Sequence, residues 1–238
     1  MSTSGETPPQ IICRPCASLS VLRHVTAAEI TKIVVQAPTK HCSLDPDPTS
    51  LVKSLLPLLA DTMANMVNAS FREGIFPATL KHAIVQQRLK KPTLNPDDLN
   101  SYRPISNLNF VSKIVERVAV ARSAEHNEAH HLLLKRQSAY RANHSTVTAV
   151  IAVHDAIIRA VDSDEVCALV ILDLSSAFDT VDHETLLDVP TRRFGVDGFV
   201  VTWFSLYLAG RTQTYHYNGA HLELYTVNCM QCASGFGP

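Results

Sequence analysis

A chain of 238 residues with 46% hydrophobic composition can bury a substantial core and need not be disordered, while a formal net charge of −1 argues against nucleic-acid capture by bulk charge alone. No apolar run reaches transmembrane length, and the first 17 residues are polar and contain proline, so the expectation is a soluble, intracellular chain with no membrane partner. Six cysteines in this length suit a reducing compartment, as free thiols.

In chain order, residues 1–17 read as a disordered leader, and 25–37 carry apolar residues at helical spacing. LDPDPTS is a turn-rich link, after which Pro57 opens a helix with Leu59, Met63, Met66 and Val67 on one face and Gly74 just past its end. Residues 90–104, with prolines at 92, 96 and 104, predict an extended connection, and Ser112 begins a helix through Ile114, Val115 and Val118. Ser145 or Thr146 caps the next helix, whose Val147, Val150, Ile151, Ile157, Ile158 and Val161 should face inward, with His154 semi-buried among them. The run 166–172 reads as a strand buried on both faces, ending in Asp173. A helix begins at 184–188 and should be interrupted by Pro190; another spans 200–208 with Trp203, Phe204 and Tyr207 and stops at Gly210. Asn218-Gly219 between 211–217 and 221–227 is a two-residue hairpin signal. The class is α+β.

Charge is distributed unevenly. Residues 1–80 carry six basic and six acidic side chains, 81–143 eleven and five (net +6), and 144–238 four and eleven (net −7). A basic segment followed by an acidic one suits chemistry on phosphates assisted by divalent metals, the first needing Lys and Arg and the second carboxylates. The plainer alternative is two solvated surfaces of opposite sign that pair with each other. Asp173, on the end of a rigid element opening onto a crevice, is the candidate metal carboxylate; a capping Asp is the competing reading.

LDLSSAFDTVDH (172–183) resembles motif A of the reverse transcriptases of non-LTR (LINE-type) retrotransposons. The resemblance continues in the family's order through SLDPDPTSLVK (43–53), FREGIFPATLKHAIV (71–85), KKPTLNPDDLNSYRPISNLNFVSKIVERV (90–118) and QSAYRANHST (137–146). Downstream it runs through RRFGVDGFVVTWFSLYLAGRTQTYHYNG (192–219) and a blurred NCMQCASGFGP (228–238). It implies the fingers and a partial, incomplete palm of a right-hand polymerase: 18–146 mainly fingers and 147–238 partial palm. It also implies an RNA template, a DNA primer and deoxynucleoside triphosphates as partners. Catalysis would use Mg2+ or Mn2+ held by Asp173 and the Leu174 carbonyl, with two ions required for phosphoryl transfer. Phe178 matches the residue that blocks a ribose 2′-hydroxyl, and Arg141 a fingers arginine that grips the triphosphate with its bidentate fork. Arg103 would contact template or phosphate, and Lys90 and Lys91 would add basic surface. Asp179, Asp182 and His183 match the motif's tail and take supporting roles.

Two departures shape the expectation of activity. QCASGFGP lacks the intact Pro-Gln-Gly core of the family's next loop, and Pro238 precedes the Tyr-x-Asp-Asp hairpin that supplies the remaining metal carboxylates. The expectation is therefore an RNA-directed DNA polymerase domain present as an inactive fragment that does not hold its metals productively. The alternative is a non-catalytic nucleic-acid-binding or interaction protein derived from that domain. A third reading, zinc held by Cys13, Cys16, Cys229 and Cys232, suffers from pairs at opposite ends of the chain.

Overall fold

The computed structural model describes residues 17–40, 42–172, 182–217 and 220–226. Helix α1, Ala27–Gln36, starts where Thr26 and Glu29 form a reciprocal capping box: the Thr26 hydroxyl accepts from the Glu29 amide and the Glu29 carboxylate from the Thr26 amide. Its apolar stripe, Ile30 and Val34, is fully buried. A short helix α2, Thr49–Ser54, leads through Leu55 into α3, Leu56–Glu73, with Pro57 in its first turn. Gly74 ends α3 at φ 66°, a left-handed conformation that a side chain resists, and a Cβ there would stand 3.3 Å from Phe199.

Two strands follow, β1 (His82–Leu89) and β2 (Tyr102–Leu108), paired antiparallel from Ala83↔Leu108 to Leu89↔Tyr102. Residues 90–104, expected to form an extended connection, are instead a turn-rich link over 90–101 followed by the first three residues of β2. Pro104 fits because β2 lies on the sheet edge, where a missing N–H leaves no ladder bond unmade. Helix α4, Phe110–Ala129, starts two residues before the expected Ser112, because Asn109 rather than a later residue caps it by accepting from the Ser112 amide at 2.7 Å. Helices α5 (Thr146–Asp162), α6 (His183–Phe194) and α7 (Gly198–Leu208) precede β3 (Thr212–Tyr217) and β4 (Ala220–Thr226). The sheet order is β2-β1-β3-β4, with β1 and β3 parallel. Tyr217 pairs with Ala220, so a two-residue link joins β3 to β4 as expected; Asn218 and Gly219 themselves lie outside the described residues.

The core is a helical layer of α1, α3, α4 and α7 centred on Trp203, which is 1% exposed. Its indole N–H donates to the Ser70 hydroxyl at 3.0 Å, Phe71 and Phe76 meet it edge-on at 5.4 Å, and Tyr207 stacks on it at 5.5 Å. Arg122, also buried, ties α4 to the entry of α1: it donates to the Arg23 and His24 carbonyls and to the Glu29 and Glu125 carboxylates at 2.8–3.2 Å. No helix among the described residues is long and apolar enough to cross a membrane.

Four expectations are corrected. Residues 166–172 are irregular and exposed, from Val166 fully open to Leu172 at 87%, rather than a buried strand. A strand exists only where a second strand takes its backbone groups, and no described strand pairs with this run. Helix α5 is capped by Ser145 as expected, but Val147, Val150, Ile151, Ile158 and Val161 are exposed, Ile157 is half-buried and His154 is exposed. Its apolar periodicity is real, yet most of that face stays open among the described residues. Pro190 does not interrupt α6, which runs through it. The proline removes one amide donor, while the following turn is held by Thr191 Oγ1 on the Leu187 carbonyl (2.9 Å) and by Arg192 with Asp188 (2.6 Å).

Candidate nucleic-acid interface

Between α4, the β1–β2 hairpin and the loop leading from α1 to α2 lies a cavity of about 760 Å³. The loop is fixed at both ends. Lys53 Nζ donates to the Ala37 carbonyl and to Thr39 Oγ1, and Thr49 Oγ1 donates to the Lys40 carbonyl at 2.7 Å. At the far side Asp45 accepts the amide of Phe110 at 2.6 Å, capping the first turn of α4. Asp45 and Thr49 of the LDPDPTS link thus line the cavity while bonding to its neighbouring segments.

The cavity is basic. Lys40, Arg88, Lys113 and Arg117 line it against the single carboxylate of Asp45, which already serves the α4 cap. Lys113 and Arg117 are four residues apart, hence neighbours on one helical face, and both are half-buried. Neither has a carboxylate within 4.0 Å among the described residues, nor do Lys40, Arg88 or Arg103. Register places Arg88 directly opposite Arg103 on the same face of the hairpin, two strand positions from Gln86↔Ile105 on the cavity wall. Like charges at both spacings cost stability unless an anion lies between them. Gln86, Gln87 and Asn107 add amide donors and acceptors to the lining.

The residues singled out from sequence fall in three places. Arg103 lies on the cavity's side of the hairpin. Lys90 and Lys91 sit at its far end, with Lys90 Nζ donating to the Asn100 carbonyl at 2.8 Å and Lys91 exposed. Arg141 is at the opposite end of α4, paired with Glu128 at 3.1 Å. Asp173, Leu174, Phe178 and Asp179 lie outside the described residues, as do Cys13, Cys16, Cys229 and Cys232. Asp182 caps α6, accepting from the Thr185 amide and hydroxyl at 2.8 and 2.7 Å, and His183 is the first residue of that helix. Among the described residues no three His, Cys, Asp or Glu cluster closely enough to hold a metal. Lys40, Arg88, Lys113 and Arg117 were not picked out from the sequence. The available signal was Lys113 and Arg117 at helical spacing.

Behind the cavity, α4 carries a buried ion pair. Glu116 faces Arg211, which precedes β3, at 3.6 Å; both are under 4% exposed. Burial pushes the Glu116 carboxyl up to about 7, against the opposing pull of Arg211 and of the Tyr207 and Ser112 hydroxyls. Burial also lowers His82, whose ring contacts Thr212 and Thr214 on β3, and lowers Lys81, whose ammonium donates to the Ala209 carbonyl.

Residues 89–232 match the family described as reverse transcriptase (RNA-dependent DNA polymerase). The chain belongs to the reverse transcriptase family. Of the cavity's basic residues, Lys113 and Arg117 fall within the matched stretch, and Lys40 and Arg88 precede it. Among curated relatives, this reverse transcriptase chain is 29% identical over 174 residues to a probable RNA-directed DNA polymerase from transposon BS of Drosophila melanogaster, covering 73% of the chain and 19% of that protein. It is 37% identical over 116 residues to the probable RNA-directed DNA polymerase from transposon X-element of the same fly, covering 49% of the chain and 13% of the relative. The RNA-directed DNA polymerase from its mobile element jockey is 29% identical over 177 residues, covering 73% of the chain and 19% of the relative. The chain thus spans about a fifth or less of the length of these relatives. The non-LTR retrotransposon resemblance of the motifs and the names of these relatives agree.

Proposed function

We propose that this chain forms the fingers and the first part of the palm of an RNA-directed DNA polymerase of a mobile element. In this reading the basic cavity holds the phosphodiester backbone of an unpaired RNA template. The observation that carries the proposal is the convergence of Lys40, Arg88, Lys113 and Arg117, drawn from three separate segments, on one cavity with no carboxylate among the described residues paired to any of them. Phosphates bind such sites by displacing counterions, and the strength falls with salt in proportion to the contacts made. The amides of Gln86, Gln87 and Asn107 suit base edges of an unpaired strand, because single strands expose edges that a duplex hides.

The remaining roles follow the family. Arg103 and Arg141 contact template and triphosphate phosphates, Phe178 selects deoxynucleotides, and Asp173 with the Leu174 carbonyl are the proposed ligands of Mg2+ or Mn2+. The ions would supply the positive charge that stabilises an in-line phosphoryl transfer from a deoxynucleoside triphosphate to a DNA primer. This chain's own residues bind and orient the template.

The test is equilibrium binding of a short single-stranded RNA at several salt concentrations. Lys113→Ala and Arg117→Ala should each weaken binding and each reduce the salt slope by about 0.7, one phosphate's worth for a single strand. Arg159→Ala, on exposed α5, should leave both unchanged. Equal effects of all three substitutions would remove the cavity from the account.

A further inference from the structure

Glu116 and the cavity share helix α4. Lys113, three residues earlier, is its neighbour on the helix surface and lines the cavity; Arg117, which also lines it, is the next residue along the chain. The Glu116 carboxyl is 3% exposed, and its two oxygens differ. Oε1 accepts from the Tyr207 hydroxyl at 3.1 Å and the Ser112 hydroxyl at 3.4 Å, and Arg211 Nη2 stands 3.6 Å from it. Oε2 is buried without a hydrogen-bond partner among the described residues. A carboxylate with one oxygen wholly uncompensated is costly, whereas a neutral carboxyl is far less so. Arg211 does not depend on that charge alone. Its Nε donates to the Tyr207 carbonyl at 2.8 Å, and its guanidinium lies over the Tyr207 ring at 4.1 Å and the Phe76 ring at 5.6 Å. The site can therefore gain or lose one proton without being dismantled.

We propose that Glu116 is a proton-operated positioning residue for the cavity: ionised, it places a negative charge beside Lys113 that weakens polyanion capture, and protonated, it restores the cavity's full positive field. This rests on the reading of the cavity as a polyanion site. The charged and titratable groups that face Glu116 are Arg211 ahead of β3, Tyr207 on α7, and Lys113 on α4 itself; Lys81, ahead of β1, acts on Arg211. The raised proton affinity of Glu116 puts its change of charge near neutral pH. By linkage, a bound polyanion must in turn favour the protonated carboxyl.

The experiment is fluorescence anisotropy of a labelled short oligouridylate on the full chain, at constant ionic strength, between about pH 6 and about pH 8, a range in which the RNA phosphodiesters do not titrate. The wild-type affinity should fall roughly fivefold as pH rises, the low end of coupling between distinct sites. Glu116→Gln should hold the low-pH affinity across the range. Tyr207→Phe removes a hydrogen bond that favours the ionised form, so it should keep the fall but move its midpoint to higher pH. A wild-type profile that is flat, or a fall undiminished in Glu116→Gln, overturns the inference while leaving the cavity reading intact. Absence of RNA binding at every pH overturns both. Should Glu116→Gln fail to fold by circular dichroism, the Tyr207→Phe midpoint decides, and an unmoved midpoint overturns the proposal.

Discussion

Replacing Glu116 with glutamine should remove a loss of stability that the natural chain suffers as pH rises towards neutral. In the unfolded chain this carboxyl titrates near 4.5, whereas burial raises it to about 7 in the folded protein. Between those values the folded state holds a proton that the unfolded state has released, so stability falls as pH rises. The contribution is complete below 4.5, declines to about 7 and is level above it. At about 1.4 kcal/mol per factor of ten in proton affinity, the loss amounts to about 3 kcal/mol. Glutamine preserves the side chain's shape and cannot ionise. The difference in unfolding free energy between Glu116→Gln and the natural chain should therefore be constant below about pH 4.5 and grow by about 3 kcal/mol by about pH 7.5. Urea unfolding followed by Trp203 fluorescence measures it, and the subtraction cancels the titration of groups elsewhere. Two parallel curves across that range would refute the claim that burial raises the proton affinity of Glu116.

Ser70→Ala should cost about 1–3 kcal/mol in the same assay, because it leaves the buried Trp203 indole N–H without its acceptor. Gly74→Ala should cost about 1–2 kcal/mol, the combined effect of a left-handed φ and a Cβ pressed against Phe199. Arg122→Ala should cost about 3–5 kcal/mol, since it strips a buried cation from two carbonyls and two carboxylates. It should also change the acid limb. The Thr26 amide first, and Arg122 after it, hold the Glu29 carboxyl at about 2, so its contribution is present above 4.5 and lost as pH falls through about 2. In Arg122→Ala the Glu29 titration followed by NMR should move upward.

Elements that carry their own instructions were legible in the sequence. Pro57 and Gly74, and Ser145, mark helix ends by local hydrogen bonding and backbone conformation, which depend on nothing distant; Thr26 and Glu29 do the same for α1, although only its apolar spacing was read. The β1–β2 hairpin was not legible, because its strands are joined by a proline-bearing link longer than hairpin signals cover and only Ala83, Ile84 and Val85 of β1 are buried. Residues 166–172 and α5 show the converse limit. Apolar periodicity identifies a face that gains from burial, but the surface that would bury it belongs to another part of the fold. The site divides in the same way. Arg103 was singled out through its motif and lies beside the cavity without lining it, whereas the cavity is created by the meeting of the 37–49 segment, β1, β2 and α4, and no single segment records that meeting. Glu116 was not singled out in the sequence, because the group that faces it, Arg211, lies ninety-five positions away.

The most direct test of the account is mass-spectrometric lysine footprinting of the chain with and without a short single-stranded RNA. Lys40 and Lys113 line the cavity, whereas Lys32 lies on exposed α1 surface and Lys135 beyond the end of α4. RNA should protect Lys40 and Lys113 from acetylation and leave Lys32 and Lys135 as reactive as before. Protection of Lys32 or Lys135 with Lys40 and Lys113 still fully reactive would contradict the placement of nucleic acid in this cavity.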